Sequence, residues 1–138
     1  MTKQERIKLC KDYLTEEGYR PSIDETGDLF FKFEGRTHFI LIDDKDDEFF
    51  QIAFLNFWRI EDNDELVRAF KAANEASRDT KVVKVVVRED GKNVIASVEM
   101  FITSPEDFSR SLKRSLSAIR YAADHFADAM RTTQTQAA

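Results

Sequence analysis

Residues 27–60 have the sequence GDLFFKFEGRTHFILIDDKDDEFFQIAFLNFWRI, which holds eight of the 12 phenylalanines in this chain of 138 residues. Three segments of it, Leu29–Glu34, Thr37–Asp43 and Phe49–Leu55, are rich in aromatic and aliphatic residues and show the alternation of β-strands. The segments between them contain Gly and Asp, which favour turns. This stretch therefore predicts a three-stranded antiparallel sheet at the centre of the fold.

Both faces of this sheet are predicted to carry apolar side chains. Gly35-Arg36 suits a two-residue hairpin turn of type II′, which pairs Phe33 with His38. Paired residues share a face. One face then carries Leu29, Phe31, Phe33, Ile40 and Ile42, and the other carries Phe30, Phe39 and Leu41 beside Lys32, Glu34 and Thr37. A small antiparallel sheet usually leaves one face to water, so aromatic residues on both indicate a surface that another chain covers.

A second hairpin is predicted where Lys81–Glu89 and Lys92–Ile102 flank Asp90-Gly91, a strong hairpin signal. Its register gives one apolar face, formed by Val83, Val85, Val87, Val94, Ala96 and Val98. The opposite face mixes apolar and charged side chains, among them Lys84, Val86, Ile95 and Glu99.

Three helices are predicted from capping signals at their N-termini. A capping box places Ser, Thr or Asp three residues before Glu, and Pro is favoured at the first helical position. The helices are predicted to follow Thr2, Asp62 and Ser104, with the first ending at Gly18 and the second near Ser77. Residues 20–28 are predicted to be a loop. The second helix has an apolar stripe of Leu66, Phe70 and Ala73, and the third one of Phe108, Leu112, Leu116, Ile119, Ala123, Phe126 and Met130.

The predicted fold is a single α+β domain over residues 1–131, with a polar, frayed tail at residues 132–138. Its element order is helix, three strands, helix, two strands, helix, around a mainly antiparallel twisted sheet. The first and third helices are the expected cover for the apolar face.

Composition narrows the function classes. The net charge of −5 disfavours a general nucleic-acid binder, and no apolar run approaches the roughly 20 residues that span a bilayer. Arg110, Lys113, Arg114 and Arg120 alternate with acidic residues, which indicates a helix face with ion pairs. The charged N-terminus and the single Cys10 predict a cytoplasmic protein with neither a secretory signal nor a disulfide.

No residue pattern specifies a reaction, a metal or a cofactor. The histidines at 38 and 125 and Cys10 do not have the spacing of a zinc site, and the acidic run at 43–48 fails the EF-hand pattern. Gly-rich phosphate loops and nucleophile motifs are absent from the sequence. We therefore expect a protein that is not an enzyme and binds no cofactor.

Trp58 has two interpretations. A lone Trp most often fills the end of a core, whereas Trp is also enriched in the residues that dominate protein interfaces. The sequence leaves both open.

The stretch from Gly27 to Ile60 resembles the YbjN-like family of bacterial sensory transduction regulators. The resemblance lies in the strand ending FKFEG, a second strand closing on IDD, and the run FFQI that follows. The element order over nearly the whole chain also resembles the type III secretion chaperone fold, to which that family is related.

This resemblance implies a small cytoplasmic protein that works through protein contacts and has no enzymatic activity. Secretion chaperones dimerise through the middle helix and neighbouring strands and bind an extended client on apolar patches. The matching positions for a homodimer are Leu66, Val67, Phe70, Val82, Val86 and Ile95, and those for a client are Phe30, Phe39 and Leu41.

The main hypothesis is therefore a non-catalytic protein-binding module, chaperone-like or regulatory, that dimerises, shields an apolar segment of a partner protein, or does both. One alternative is a small-ligand-binding or enzymatic domain with a cavity between the sheet and the third helix. Another is a structural dimer whose second sheet face closes only on itself.

Overall fold

The computed structural model describes the backbone of residues 1–137 and the side chains of residues 1–132. This part of the chain contains three helices and six strands. They are α1 (Lys3–Glu16), β1 (Ser22–Ile23), β2 (Leu29–Phe33), β3 (Arg36–Ile42), β4 (Phe49–Arg59), α2 (Asn63–Asp79), β5 (Val83–Val87), β6 (Asn93–Phe101) and α3 (Pro105–Ala137). The predicted α+β fold is confirmed.

The helix boundaries follow the predicted caps. Thr2 Oγ1 accepts a hydrogen bond from the Glu5 N–H, and Asp62 Oδ1 accepts one from the Glu65 N–H. Ser104 Oγ accepts from the Asp107 N–H at the start of α3. That helix continues to Ala137, whereas the side chains beyond residue 132 lie outside the described residues, so the frayed tail stays a prediction.

The six strands form one antiparallel sheet in the order β1-β2-β3-β4-β6-β5. The chain leaves β4 through α2, enters the sheet again at its edge as β5, and returns as β6 between β5 and β4. The first strand lies in the segment predicted to be a loop, and pairs Ser22 with Phe30. Two residues are too few to show an alternation in the sequence, which is why this strand was missed.

The β2–β3 turn is one residue earlier than predicted. Phe33 pairs with Arg36, not with His38, and the turn residues are Glu34 and Gly35, both with positive φ (51° and 78°). Positive φ at both central positions is the pattern of a type I′ turn. Moving the turn by one residue shifts the pairing by two, so the strand residues remain on their predicted faces.

The β5–β6 register is confirmed from Val83 opposite Val98 to Val87 opposite Val94. Beyond the last pair, the Arg88 N–H donates to the Asn93 carbonyl oxygen at 2.8 Å, and the Gly91 N–H donates to the Arg88 carbonyl oxygen at 2.9 Å, which makes Glu89 and Asp90 the central residues of the turn. The valines of these two strands that face α3 belong to the hydrophobic core.

The strand β4 extends four residues beyond its predicted end at Leu55 and is irregular between Phe54 and Trp58. Asn56 has φ 53° there, and its Oδ1 accepts a hydrogen bond from Arg88 Nη1 at 3.1 Å. Because of this bulge, Phe57 and Trp58 both contact the Phe126 ring of α3, each with ring centroids 5.5 Å apart.

The helices pack on one side of the sheet, called here the inner face. Its central residues, Leu29, Ile40, Ile52, Val94, Ala96 and Val98, are all 0% exposed. α1 contributes Cys10 and Leu14 to this core, and α3 contributes its whole predicted stripe from Phe108 to Met130 except the peripheral Ala123. The expected cover by the first and third helices is confirmed.

The second helix packs differently from the prediction. Its buried residues are Ala69, Ala72, Ala73 and Ala76, whereas Phe70, which was predicted to lie on the buried stripe, is 56% exposed. Small alanine side chains let α2 lie close to α3 and β5, which are its main neighbours. The larger apolar residues are consequently on its outer side.

α2 also satisfies the free edge of β5. The Val85 N–H donates to Ser77 Oγ at 2.9 Å, and the same hydroxyl donates to the Val85 carbonyl oxygen at 3.2 Å. An edge strand otherwise presents unpaired backbone groups that can bind another strand. One serine therefore satisfies both outward backbone groups of this residue.

Candidate functional site

The side of the sheet opposite the helices carries many apolar side chains and is called here the outer face. The observed registers place on it Phe30, Phe39, Leu41, Phe49, Leu55, Val86, Ile95 and Phe101. In the described part of the chain, none of these side chains belongs to the core cluster or packs against it. Seven are half-buried, and Phe101 is 72% exposed. No helix within residues 1–132 packs over this surface.

Small residues lie at the centre of the outer face. One row across the sheet consists of Phe39, Ala53, Ser97 and Lys84. Ala53 and Ser97 are 0% and 1% exposed because larger side chains surround them. The small side chains in this row are therefore covered by their larger neighbours on the outer face.

The outer face carries two aromatic pairs. The rings of Phe30 and Phe39 are 5.9 Å apart, and those of Phe49 and Phe101 are 6.2 Å apart with an angle of 61° between their planes. Pairs of this geometry hold each other in place. The aromatic side chains thus form a partly ordered surface before any partner arrives.

Charges on the outer face lie toward the β5 side. Lys84 and Glu99 form an ion pair with each other, and Arg88 is bound to Asn56 beside the β4 bulge. The aromatic half near β2 and β3 has only Lys32 as a charged strand residue. Gln51 and Glu99 pair across β4 and β6, so polar side chains also lie in the middle of the outer face.

The structure places the predicted sites on several surfaces. Phe30, Phe39 and Leu41 lie together on the outer face, as do Val86 and Ile95, which pair with each other across β5 and β6. Three of the residues predicted for a dimer interface lie elsewhere and are strongly exposed: Val67 (69%) and Phe70 (56%) on α2, and Val82 (66%) just before β5. Leu66 is half-buried beside Gly91.

Trp58 is bound to its own chain. It packs edge-on against Phe126, and its indole N–H donates to Glu65 Oε1 at 2.9 Å. The same Glu65 belongs to the N-terminal cap of α2. Trp58 therefore connects β4, α2 and α3, and its contact with a partner stays a prediction.

Three outer-face residues were not among the predicted sites: Phe49, Leu55 and Phe101. The signal was present in the sequence, since Phe49 and Leu55 alternate with the core residues of β4 and Phe101 follows the same alternation in β6. Only the pairing of β4 with β6 brings Phe101 beside Phe49.

The space between the sheet and α3 is filled, since Leu112, Leu116 and Ile119 are at most 1% exposed. An open groove of about 510 Å³ lies at the margin, between α3 and the strands β3 and β4. Phe54, Phe57 and Trp58 line its floor, and Arg36 lies over the Phe54 ring and 3.5 Å from Asp124. The cavity of the alternative hypothesis corresponds to this groove at the edge of the interface.

The buried titratable groups have packing roles. Burial raises the pKa of the Cys10 thiol to about 12, so it is protonated and unreactive at neutral pH. Burial also lowers the pKa of His38, whose Nδ1 lies 2.9 Å from the Arg36 carbonyl oxygen and whose ring stacks on Phe54. Neither group is part of a nucleophile–base pair in the described residues.

The acidic run forms an ordered turn. Asp43 Oδ1 accepts hydrogen bonds from the Asp46 and Lys45 N–H groups, and these bonds lower the pKa of Asp43. Arg6 donates to the Asp43 carbonyl oxygen at 2.7 Å. Among the described residues, no group of three or more His, Cys, Asp or Glu is placed to hold a metal ion. No described helix is both long and apolar enough to cross a membrane.

Two solved structures share this architecture. YbjN from E. coli, a proposed transcription regulator, superposes with a TM-score of 0.64, 13% sequence identity, and coverage of 92% of both chains. The chain has a YbjN-like fold. An uncharacterised protein from Methanothermobacter thermautotrophicus superposes with a TM-score of 0.53 and 15% identity over 94% of this chain and 96% of its own.

The chain matches no protein-family model and no curated protein. The likeness to YbjN concerns the backbone at this low identity. The aromatic outer face is a property of the side chains of this chain, and its function has to be argued from them.

Proposed function

We propose that this protein is a non-catalytic protein-binding module, chaperone-like or regulatory, whose outer face binds an apolar segment of a partner protein. The observation that carries the proposal is that the eight apolar residues of the outer face lie outside the core and under no helix. Exposed apolar surfaces of this kind are rare in proteins without partners.

The free energy available from covering this face supports binding. A Phe side chain buries about 150–250 Å² of surface, and apolar burial contributes about 25 cal/mol per Å². Covering the exposed 72% of Phe101 alone would then contribute about 3 kcal/mol before the cost of association. Contacts with Phe30, Phe39 and Phe49 add to this value.

The edge of the sheet next to this face is suited to an extended partner. β1 pairs with only two residues of β2, Leu29 and Phe30, so Phe31–Phe33 have no strand partner on that side among the described residues. An extended segment could pair with this edge and place alternate side chains on the outer face. This mode of binding gives affinity through the backbone and specificity through the aromatic surface.

We further propose that a homodimer, where it forms, uses the exposed side of α2. Val67 and Phe70 lie one helical turn apart on that side and are 69% and 56% exposed. Val82, at the end of the connection from α2 to β5, adds a third exposed apolar residue.

The outer face can be tested with two substitutions on one strand. Phe39→Glu places a charge at the centre of the apolar surface, and Thr37→Glu places the same charge two residues away on an exposed polar position. We expect Phe39→Glu to abolish capture of partner proteins from the source lysate, while Thr37→Glu retains the same bound proteins. Mass spectrometry of the bound fraction identifies them.

Equal capture by both variants, with both folded by circular dichroism, would exclude the outer face as the binding surface. Phe70→Glu tests the dimer separately by light scattering during size-exclusion chromatography. A dimer that dissociates only in Phe70→Glu supports the α2 interface, and one that dissociates only in Phe39→Glu contradicts it.

A further inference from the structure

A second concave surface lies beside the first half of α3, away from the outer face. It has a volume of about 620 Å³ and is bounded by α3, residues 79–82 and the end of β6. Its apolar wall includes Val82, Met100 and Tyr121. Its volume falls within the roughly 300–1,000 Å³ of small-molecule sites.

Three cations line this groove, and two of them are uncompensated. The side chains of Lys81 and Arg114 have no ion pair or hydrogen bond with any described residue, whereas Arg110 Nη1 forms an ion pair with Asp107 Oδ1 at 4.0 Å. The local excess of positive charge contrasts with the net charge of −5 of the whole chain.

The one acidic residue that lines the groove is already engaged. Asp79 accepts hydrogen bonds from Arg78, at 2.8 and 3.0 Å, and lies 3.2 Å from His125 Nε2. Its charge is therefore balanced by a guanidinium outside the groove. Asp79 therefore does not compensate the cations of the groove.

Two other cations of α3 form ion pairs with acidic residues outside this helix. Arg120 Nη1 lies 2.5 Å from Glu34 Oε2, and Lys113 Nζ lies 3.9 Å from Glu17 Oε2. The ion pairs predicted within α3 are found between Arg110 and Asp107, at 4.0 Å, and between Arg120 and Asp124, at 3.9 Å. Arg114 has no ion pair with a described residue, and it lines the groove together with Arg110, one turn away.

The backbone conformation of Val82, in the apolar wall, is a second observation that indicates a binding site. Val82 has φ 57°, a left-handed conformation that β-branched residues adopt only under constraint. In this conformation its side chain is 66% exposed at the groove, near Tyr121, which is 61% exposed. Strained residues concentrate at binding sites, where the surrounding structure holds them.

We propose that this groove binds a small amphiphilic anion. A phosphate or carboxylate head would be held by Arg110 and Arg114, whose guanidinium groups can donate paired hydrogen bonds to either group. The apolar part of the anion would pack against Val82 and Tyr121. The site does not depend on the proposed binding of a partner at the outer face, although Val82 also belongs to the proposed homodimer surface.

Two probes distinguish whether the apolar part of such an anion is aromatic or aliphatic. AMP carries a phosphate on an aromatic base, and laurate carries a carboxylate on an alkyl chain. Titration calorimetry of the full chain with each probe should show saturable 1:1 binding of at least one of them, tighter than that of inorganic phosphate. The probe that binds shows whether the groove accepts an aromatic base or an alkyl chain.

Two adjacent residues provide the matched variants. Arg114→Glu and Lys113→Glu change the charge equally on neighbouring positions of α3, but only Arg114 lines the groove. Loss of a charge-assisted contact should weaken binding by about tenfold or more in Arg114→Glu, while Lys113→Glu stays within about twofold of the parent.

Ser117→Trp is the second test, because Ser117 is exposed and lines the groove while leaving its charges intact. A Trp at this position fills the space for the apolar part of the anion and should also weaken binding of the probe. The proposal is wrong if neither AMP nor laurate binds, if Lys113→Glu weakens binding as much as Arg114→Glu, or if only an acidic peptide binds.

Discussion

The inner and outer faces of the sheet come from the same strands, yet one is sealed and the other is open. Leu29 and Ile40 on the inner face are 0% exposed, whereas their neighbours Phe30 and Phe39 are half-buried without packing against the core. Both faces carry large apolar side chains in β2 and β3, although polar residues such as Lys32 and Thr37 also lie on the outer face. The difference is set by the three helices, which all pack on one side. Apolar alternation in a strand therefore does not by itself tell which face is core.

The difference between the inner and outer faces should be largest at two adjacent phenylalanines. Phe31 is 2% exposed on the inner face, and Phe30 lies on the outer face. We expect Phe31→Ala to lower the free energy of unfolding by about 3–5 kcal/mol, because it leaves a cavity in the core. Phe30→Ala should cost about 1 kcal/mol, since its ring contacts mainly Phe39.

Urea denaturation of both variants measures this difference. Equal losses of stability would mean that the outer face is as much part of the core as the inner face.

The next effect concerns the covered edge of β5. Ser77→Ala removes both hydrogen bonds to the Val85 backbone and leaves its N–H and carbonyl oxygen without a protein partner. We expect a loss of about 1–2 kcal/mol in the free energy of unfolding. Ser117→Ala, at an exposed position of α3, is the control and should change stability by less than about 0.5 kcal/mol.

An effect of similar size is expected at the β2–β3 turn, which sets the register of both faces. Gly35 has φ 78° and no heavy atom within 4 Å of the position of a Cβ, so a Gly35→Ala substitution meets only backbone strain. The expected loss is about 1–2 kcal/mol. A loss of less than about 0.3 kcal/mol in thermal or urea unfolding would contradict the positive-φ turn found here.

The smallest effect concerns pH at the exposed end of α2. Hydrogen bonds from Arg78 and His125 lower the pKa of Asp79 from 3.8 to about 2. A lowered pKa contributes stability that is complete above the ordinary value and is lost as the pH falls from about 4 toward 2. The stability difference between the parent and Asp79→Asn should shrink over this range, and a constant difference down to pH 2 would contradict the assignment.

Much of the fold could be predicted from the sequence because the decisive signals are local. The caps at Thr2, Asp62 and Ser104 mark the helix starts, and Asp90-Gly91 fixes the register of β5 and β6. The β2–β3 register could not be fixed in this way, since Gly35 serves equally as the first or second residue of a two-residue turn. The predicted face of each strand residue was nevertheless correct, because a change of two residues in the pairing register leaves every side chain on the same face.

Features decided by tertiary packing were not predictable. The bulge at Asn56 lets Phe57 and Trp58 both contact Phe126, which lies some 70 positions away in the sequence. The buried alanine stripe of α2 was missed because Phe70 is the stronger apolar signal. The outer face was anticipated at Phe30, Phe39 and Leu41, but its extension to Phe101 required the order of the strands.

The central claim, that a partner protein covers the outer face, can be tested most directly by site-specific photo-cross-linking in cells. A benzophenone amino acid replaces either Phe101 on the outer face or Tyr121 on α3, which are exposed to similar extents of 72% and 61%. The account predicts a discrete adduct with another protein from position 101 and none from position 121. Adducts from position 121 alone, or an adduct at position 101 only with a second copy of this chain, would contradict it.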